Sequence, residues 1–344
     1  YEPTSTGESP LAGIDEWVNT TCPTCGGHAK RETNTMPQWA GSSWYFLRYM
    51  DNKNDEAFAS KEALKKWAPV DMYVGGVEHA VLHLLYARFY TKVLYDIGAV
   101  DFKEPFTRLF NQGMIGKDGA KMSKSKGNVV SPDEIVQNFG CDSLRLYELF
   151  MGPPEIDVDW DDRGIEGTSR FLNKVWKLVI ENLDSFVEYN KELEQPRHKL
   201  IYEVTNRLEN LSMNTVVSGF MEYTNKFIEI SRKSGLDRET AETLVILLAP
   251  FTPHISEELW SALGHKESVF KNVWCKYDEN KLQESNVTIA LQINGKTRGS
   301  FDMPRDTDKD IAIAKAKELF SEKITGEIVR EIYVPNKIVN IVVK

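Results

Sequence analysis

The hydrophobic period of this chain changes at Gly152-Pro153-Pro154, and that change limits the folds open to it more than any other feature. Before the break, short apolar runs alternate with helix-spaced ones. After it come four amphipathic stretches, roughly 165–189, 200–211, 216–234 and 239–263, with no strand signal between them. A chain of this kind must bury sheet faces in one part and helix stripes in the next. The spacing predicts an α/β part followed by an antiparallel helical bundle. Towards the end the alternation returns: the run 287–293 leads into Asn294-Gly295, a hairpin pair, 308–320 is helix-spaced, and 331–344 holds two more strand-like runs. These elements predict a small α+β domain. The domains are therefore expected at 1–152, 153–284 and 285–344.

Within the α/β part, 70–74 reads as a strand stopped by Gly75-Gly76. A helix is expected over 78–98, with Val81, Leu82, Leu85, Phe89 and Val93 forming one face. Residues 44–50 are helix-spaced, and 106–114 reads as another short strand. A lysine-studded loop, 117–128, follows, with glycines at 116, 119 and 127. Ser131 can cap the next helix, with Pro132 at its first position and Glu134 three past the cap. Residues 1–40 carry no sustained period and read as irregular entry.

The 344 residues carry 42 Lys+Arg against 51 Asp+Glu, a net charge of -9. A nucleic-acid partner would therefore need a local basic surface rather than the whole molecule. Only the C-terminal part leans that way, with 10 Lys+Arg against 8 Asp+Glu in 286–344. No run approaches the ~20 apolar residues of a membrane helix, so no membrane partner is expected. Four cysteines are too few for a disulfide framework in a chain this long, which favours a reducing compartment such as the cytoplasm.

Lys121-Met122-Ser123-Lys124-Ser125-Lys126-Gly127-Asn128 is the sharpest local feature. On a glycine-flanked loop, Lys121 and Lys124 can bring two ammonium groups to one polyphosphate, with serine hydroxyls and backbone N–H groups as further donors. A solvated lysine run accounts for the same composition; the order of the eight residues separates the two readings. His79 and His83 lie four apart and share a helix face. A helical zinc pair needs a third ligand, and none is evident, so no metal is expected and two core histidines are the plain alternative. Cys22-Pro23-Thr24-Cys25 is a zinc-knuckle fragment. Structural zinc wants four ligands; His28 could be a third, while Cys141 and Cys275 are isolated in sequence. A bare turn is expected there rather than bound zinc.

The octapeptide resembles the signature loop of the class I aminoacyl-tRNA synthetases. The blocks 39–49 (WAGSSWYFLRY) and 74–89 (VGGVEHAVLHLLYARF) are similar to those of bacterial leucyl-tRNA synthetases. The resemblance runs from residue 1 to 344, including Asn294-Gly295-Lys296 and the run 334–340.

It implies that the α/β part is the second half of a Rossmann-like catalytic domain, with Lys121 and Lys124 as catalytic residues. ATP with Mg2+ would meet Gly75, Gly76, Glu78, Met114, Lys121, Met122, Ser123, Lys124 and Ser125. Leucine would meet Trp39, Ser42, Tyr45, His79 and His83. The stretch 247–260 resembles the anticodon-binding helical domain of the leucine, isoleucine, valine and methionine enzymes, although by itself it is only an apolar helix kinked at Pro250 and Pro253. The C-terminal domain would reach the elbow of tRNA(Leu) through Lys296, Arg298 and Lys337, which a solvated surface explains equally well. The family's His-x-Gly-His element and its editing domain do not occur in these residues. The chain is therefore expected to be the C-terminal part of such an enzyme, partnered by the N-terminal half or subunit and of little activity alone.

Overall fold

The computed structural model describes residue 5 and residues 7–34, 39–282 and 286–344. The expected boundary between 284 and 285 lies outside these residues. The chain forms two compact units, one of residues 1–115 with 155–157, the other of 116–154 with 158–344.

The first unit holds α1 (Asp15–Val18), the antiparallel hairpin β1 (Asn19–Thr21) and β2 (His28–Lys30), α2 (Tyr45–Tyr49), α3 (Lys61–Trp67), β3 (Tyr73–Val74), α4 (His83–Asp96) and β4 (Leu109–Phe110). β3 and β4 pair in parallel, Tyr73 opposite Leu109 and Val74 opposite Phe110. Parallel neighbours require a crossover, and α4 lies between them in the chain. This βαβ arrangement bears out the α/β expectation. Phe46, Leu47, Ala59, Leu64, Ala87 and Val100 form the unit's core.

The apolar face expected over 78–98 is largely exposed. Val81, Leu85, Phe89 and Val93 are 73%, 57%, 58% and 42% exposed, and the helix instead buries His83, Leu84, Ala87 and Thr91. Periodicity finds an apolar stripe but not what covers it. The stretch is also not one helix: a 3-10 turn, Val77–Ala80, precedes α4.

The second unit opens on β5 (Ile115–Lys117) and β6 (Ala120–Lys121), then α5 (Pro132–Phe139), α6 (Cys141–Phe150) and β7 (Val158–Asp159). Ser131 stands at the cap position of α5, but its side chain makes no capping hydrogen bond. The bundle follows as α7 (Gly164–Ile180), α8 (Lys191–Glu209), α9 (Met213–Ser234), α10 (Arg238–Leu248) and α11 (Pro253–Ala262). Its core includes Phe171, Val175, Leu200, Val204, Phe220, Phe227, Leu244 and Leu248, and takes Leu146 from α6. The fourth expected helix is two, because Pro253 starts a new one after Thr252. The groups freed at this break are answered from α6. Asp142 accepts from the backbone N–H of Ile255 at 2.7 Å and from His254 Nδ1 at 2.8 Å, while Arg145 donates to the carbonyls of Pro250 and Phe251. Deeper in, Arg197, 3% exposed, pairs with the buried Asp237 and with Glu239.

The chain ends in β8 (Asn286–Ile293), β9 (Lys296–Pro304), α12 (Lys309–Leu319), β10 (Ile328–Val334) and β11 (Ile338–Val343). The sheet order is β10-β11-β8-β9, with β11 parallel to β8 and the other pairs antiparallel. Asn294 and Gly295 both have positive φ, 51° and 76°, as their hairpin turn demands. Ile289, Leu291, Phe301, Met303, Ile313, Val339 and Ile341 make a core that shares no residue with the bundle's.

Candidate active site

In the first unit, the glycine pair sits where β3 ends. The Gly75 N–H donates to the Phe110 carbonyl at 3.1 Å, holding the turn to the neighbouring strand. A Cβ on Gly75 would lie 2.5 Å from the Tyr73 ring, so only glycine lets the chain pass there without moving that ring. Glu78 follows in the 3-10 turn and is exposed.

Beside this turn, five residues proposed from the sequence meet. Trp39 packs edge-on to His79 with ring centroids 5.6 Å apart, His79 lies 6.2 Å from His83, and His83 lies 5.7 Å from Tyr45. Ser42 joins them through its hydroxyl, which donates to the Trp39 carbonyl at 3.1 Å. Two rings that the sequence reading missed complete the set: Tyr73, 5.5 Å from His83, and Phe106, 6.4 Å from it. An aromatic two residues before a glycine turn was the available sign for Tyr73; Phe106 had none.

His83 is 5% exposed, and neither ring nitrogen has a hydrogen-bond partner among the described residues. Burial, aided by the neighbouring His79, pushes its pKa below the ordinary imidazole value. Burial thus favours the uncharged ring, which lines the wall beside Tyr45 and Tyr73. Burial likewise raises the Tyr45 and Tyr73 phenols. The arrangement offers an uncharged, aromatic-walled surface next to a glycine turn, suited to an aliphatic group. Met114 lies further along the same unit, its N–H donating to Asp157 Oδ1 at 2.7 Å.

In the second unit, the lysine loop stands on a hairpin that sequence reading took for plain loop. Asp118 and Gly119, both left-handed at 58° and 70°, turn β5 into β6, the Asp-Gly signal of a two-residue hairpin. Asp159 accepts from the Gly119 N–H at 2.9 Å, and Lys117 pairs with Asp162 at 3.1 Å. Asn128 closes the loop: its Oδ1 accepts from the Ser123 N–H at 2.8 Å and its Nδ2 donates to the Lys117 carbonyl at 3.1 Å. The Ser123 and Ser125 hydroxyls are 2.7 Å apart. Lys124 begins a 3-10 turn, Lys124–Lys126, that ends on left-handed Gly127. Lys121 and Lys124 are exposed, and neither has an ion pair among the described residues. The backbone is clasped while the cations are uncommitted, which fits a polyphosphate ligand.

The residues proposed for nucleic acid divide between the ends of the C-terminal sheet. Lys296 and Arg298 line an open concavity of about 790 Å³ with Lys323 and Lys344. Lys337 precedes β11 at the other end, away from the Asn294-Gly295 turn. Among the described residues, no group of three or more His, Cys, Asp or Glu is placed to hold a metal. No described helix is long and apolar enough to cross a membrane.

Residues 16–161 match the model of the class I tRNA synthetases of the I, L, M and V group, and residues 190–313 match the anticodon-binding domain of tRNA ligase. The chain belongs to this class I synthetase family. It is similar to the agnB2 leucyl-tRNA synthetase of Agrobacterium radiobacter K84, solved in a ternary complex with tRNA and LeuAMS. Identity is 36% and the TM-score 0.74, over 98% of this chain and 45% of that one. It also shares the fold of the Mycobacterium tuberculosis methionyl-tRNA synthetase, solved with methionyl-adenylate. Here identity is 17% and the TM-score 0.50, over 73% of this chain and 58% of that one. The chain thus spans less than half the length of the leucyl enzyme it matches.

Proposed function

We propose that this chain is part of a leucine–tRNA ligase, contributing to the activation of leucine by ATP and its transfer to tRNA(Leu). The observation that carries this reading is the meeting of Trp39, Ser42, Tyr45, His79 and His83 around a buried imidazole whose uncharged form is favoured. Such a wall suits a branched aliphatic side chain and repels a charged one. One methylene in an apolar pocket is worth only about 1–3 kcal/mol, so shape alone gives modest selectivity against close relatives of leucine.

In activation, the leucine carboxylate attacks the α-phosphorus of ATP and pyrophosphate leaves. This needs no side-chain nucleophile; positioning and charge stabilisation suffice. Lys121 and Lys124 would hold the phosphates, with the Ser123 and Ser125 hydroxyls as further donors. Gly75 and Gly76 would let adenosine approach the backbone, and Glu78 would accept from the ribose hydroxyls. Magnesium, when bound, supplies neutralisation of the phosphate charge. The exposed stripe on α4 and the two-stranded parallel sheet support a partner of the same enzyme, since parallel sheets are covered on both faces. Lys296 and Arg298, with Lys323 and Lys344, would meet tRNA phosphates.

The test is leucine-dependent ATP–pyrophosphate exchange by this chain combined with the part of the Agrobacterium polypeptide that lies outside the match. Exchange with leucine above that with isoleucine, valine or methionine is expected. Combined parts that bind tRNA but catalyse no exchange would leave a tRNA-binding or assembly module instead.

A further inference from the structure

The hairpin that carries the lysine loop is too small to hold its own shape. β5 has three residues and β6 two, and an isolated two-stranded hairpin is marginal even at greater length. A third strand, β7, lies against β5 in the order β6-β5-β7, and the chain after it becomes the first helix of the bundle. The segment 158–162 therefore joins the hairpin to α7.

This segment is anchored behind and reaches forward. Trp160 is 8% exposed and packs edge-on to Tyr147, ring centroids 5.0 Å apart, while the Tyr147 hydroxyl donates to the Asp161 carbonyl at 2.8 Å. Tyr147 belongs to α6, whose Leu146 lies in the bundle core. In the forward direction, the Trp160 N–H donates to the Gly116 carbonyl at 2.8 Å. Asp159 reaches the turn itself. One of its carboxylate oxygens accepts from the Gly119 N–H at 2.9 Å, and the other would stand 2.7 Å from a Cβ on Gly116, so the carboxylate rests against both glycines. Gly116 is the residue opposite Lys121 across the hairpin. Charge alone argues against an acid on a hairpin that offers ammonium groups to an anion; the hydrogen bond to the turn is what it contributes there.

We infer that Asp159 is a positioning residue for the lysine loop, fixing through the Gly119 N–H the turn from which Lys121 and Lys124 are presented to a polyphosphate. The inference rests on the reading of that loop as a phosphate site. Asp159 touches no substrate and acts through the hairpin backbone. The Lys117–Asp162 pair is a weaker second tie, since Asp162 is 66% exposed.

Titration calorimetry of the full chain with inorganic tripolyphosphate tests this. Asp159→Ala and Asp159→Asn remove the same negative charge, but only asparagine keeps an oxygen that can accept from Gly119. A charge effect by itself tightens binding in both. Positioning gives opposite results: binding weaker by about tenfold in Asp159→Ala, as for one lost hydrogen bond to a charged group, and no weaker than in the unaltered chain in Asp159→Asn. Lys124→Ala should also weaken binding, which locates the ligand on the loop. Tighter binding in both Asp159 variants, or equal weakening in both, would overturn the inference. So would an unaltered chain that binds no tripolyphosphate, or binding indifferent to Lys124→Ala. Protection of the Gly119 amide from hydrogen exchange should fall in Asp159→Ala and be kept in Asp159→Asn, with circular dichroism unchanged in both; protection kept in Asp159→Ala would contradict the role. In the combined enzyme, Asp159→Ala should lower kcat for leucine-dependent exchange and leave the KM for leucine unchanged. Absence of that exchange from the unaltered combination would strike the leucine reading alone, because tripolyphosphate binding involves no leucine.

Discussion

Lys124 illustrates why order mattered more than composition. Its loop is held by Asn128 and the serines, none of which bears charge, so its ammonium group is free of internal partners among the described residues. Replacing Lys124 with Ala should leave the loop in place and remove one donor to the developing phosphate charge. Loss of one such preorganised donor costs roughly 10²–10³ in rate. In the reconstituted enzyme, leucine-dependent exchange should fall by that order while leucine binding by calorimetry changes little; equal losses in both would contradict the role. His83 makes a second prediction. Its folded pKa is lowered by burial, so as pH falls through the ordinary imidazole value of about 6.5 the unfolded chain binds a proton that the folded chain refuses. Stability is full above that pH and declines below it. His198, also lowered by burial, adds to the same slope. Scanning calorimetry from neutral to mildly acidic pH should show a shallower fall in melting temperature for His83→Asn than for the unaltered chain; parallel curves would deny His83 a share.

At the scale of elements, local chemistry was legible where it is self-contained. The Asn294-Gly295 hairpin, the Pro132 start of α5 and the bundle helices follow from turn residues and period, which need no knowledge of neighbours. The Asp118-Gly119 hairpin carried the same signal, but two-residue strands leave no alternation to flank it. The break before Pro253 was read as a kink because a proline announces only a lost donor; Asp142 and Arg145, over a hundred residues away in sequence, satisfy two separate ends. The face of α4 could not have been assigned, since helix periodicity is the same whether a stripe meets core, partner or solvent. The two cases differ in energy. Phe46, 7% exposed, should cost about 3–5 kcal/mol when cut to Ala. Phe89, 58% exposed, should change stability by no more than about 0.5 kcal/mol. Urea denaturation of the two variants measures the difference, and a large loss in Phe89→Ala would place the stripe inside this chain's own core.

For the whole molecule, the net charge of -9 sets the terms on which a polyanion can bind. Attraction cannot come from the general field, so contacts must be local and their number readable from salt dependence. The sequence named Lys296, Arg298 and Lys337 as one group because spacing carries no information about which ends of a sheet meet. Strand order separates them: β11 runs parallel to β8, which puts Lys344 with the Asn294-Gly295 turn and Lys337 at the far end. Lys323, on the connection after α12, then joins Lys296, Arg298 and Lys344 around one concavity. If that concavity meets tRNA phosphates, Lys296→Ala and Arg298→Ala should each weaken tRNA(Leu) binding and reduce the slope of log K against log salt by about one. The C-terminal core is separate from the bundle core, so these exposed changes should leave the helical signal and its melting unchanged. Fluorescence titrations at several salt concentrations give the slopes. Slopes unaltered in both variants would mean that this basic end faces solvent, and that any tRNA affinity of the chain arises on its helices.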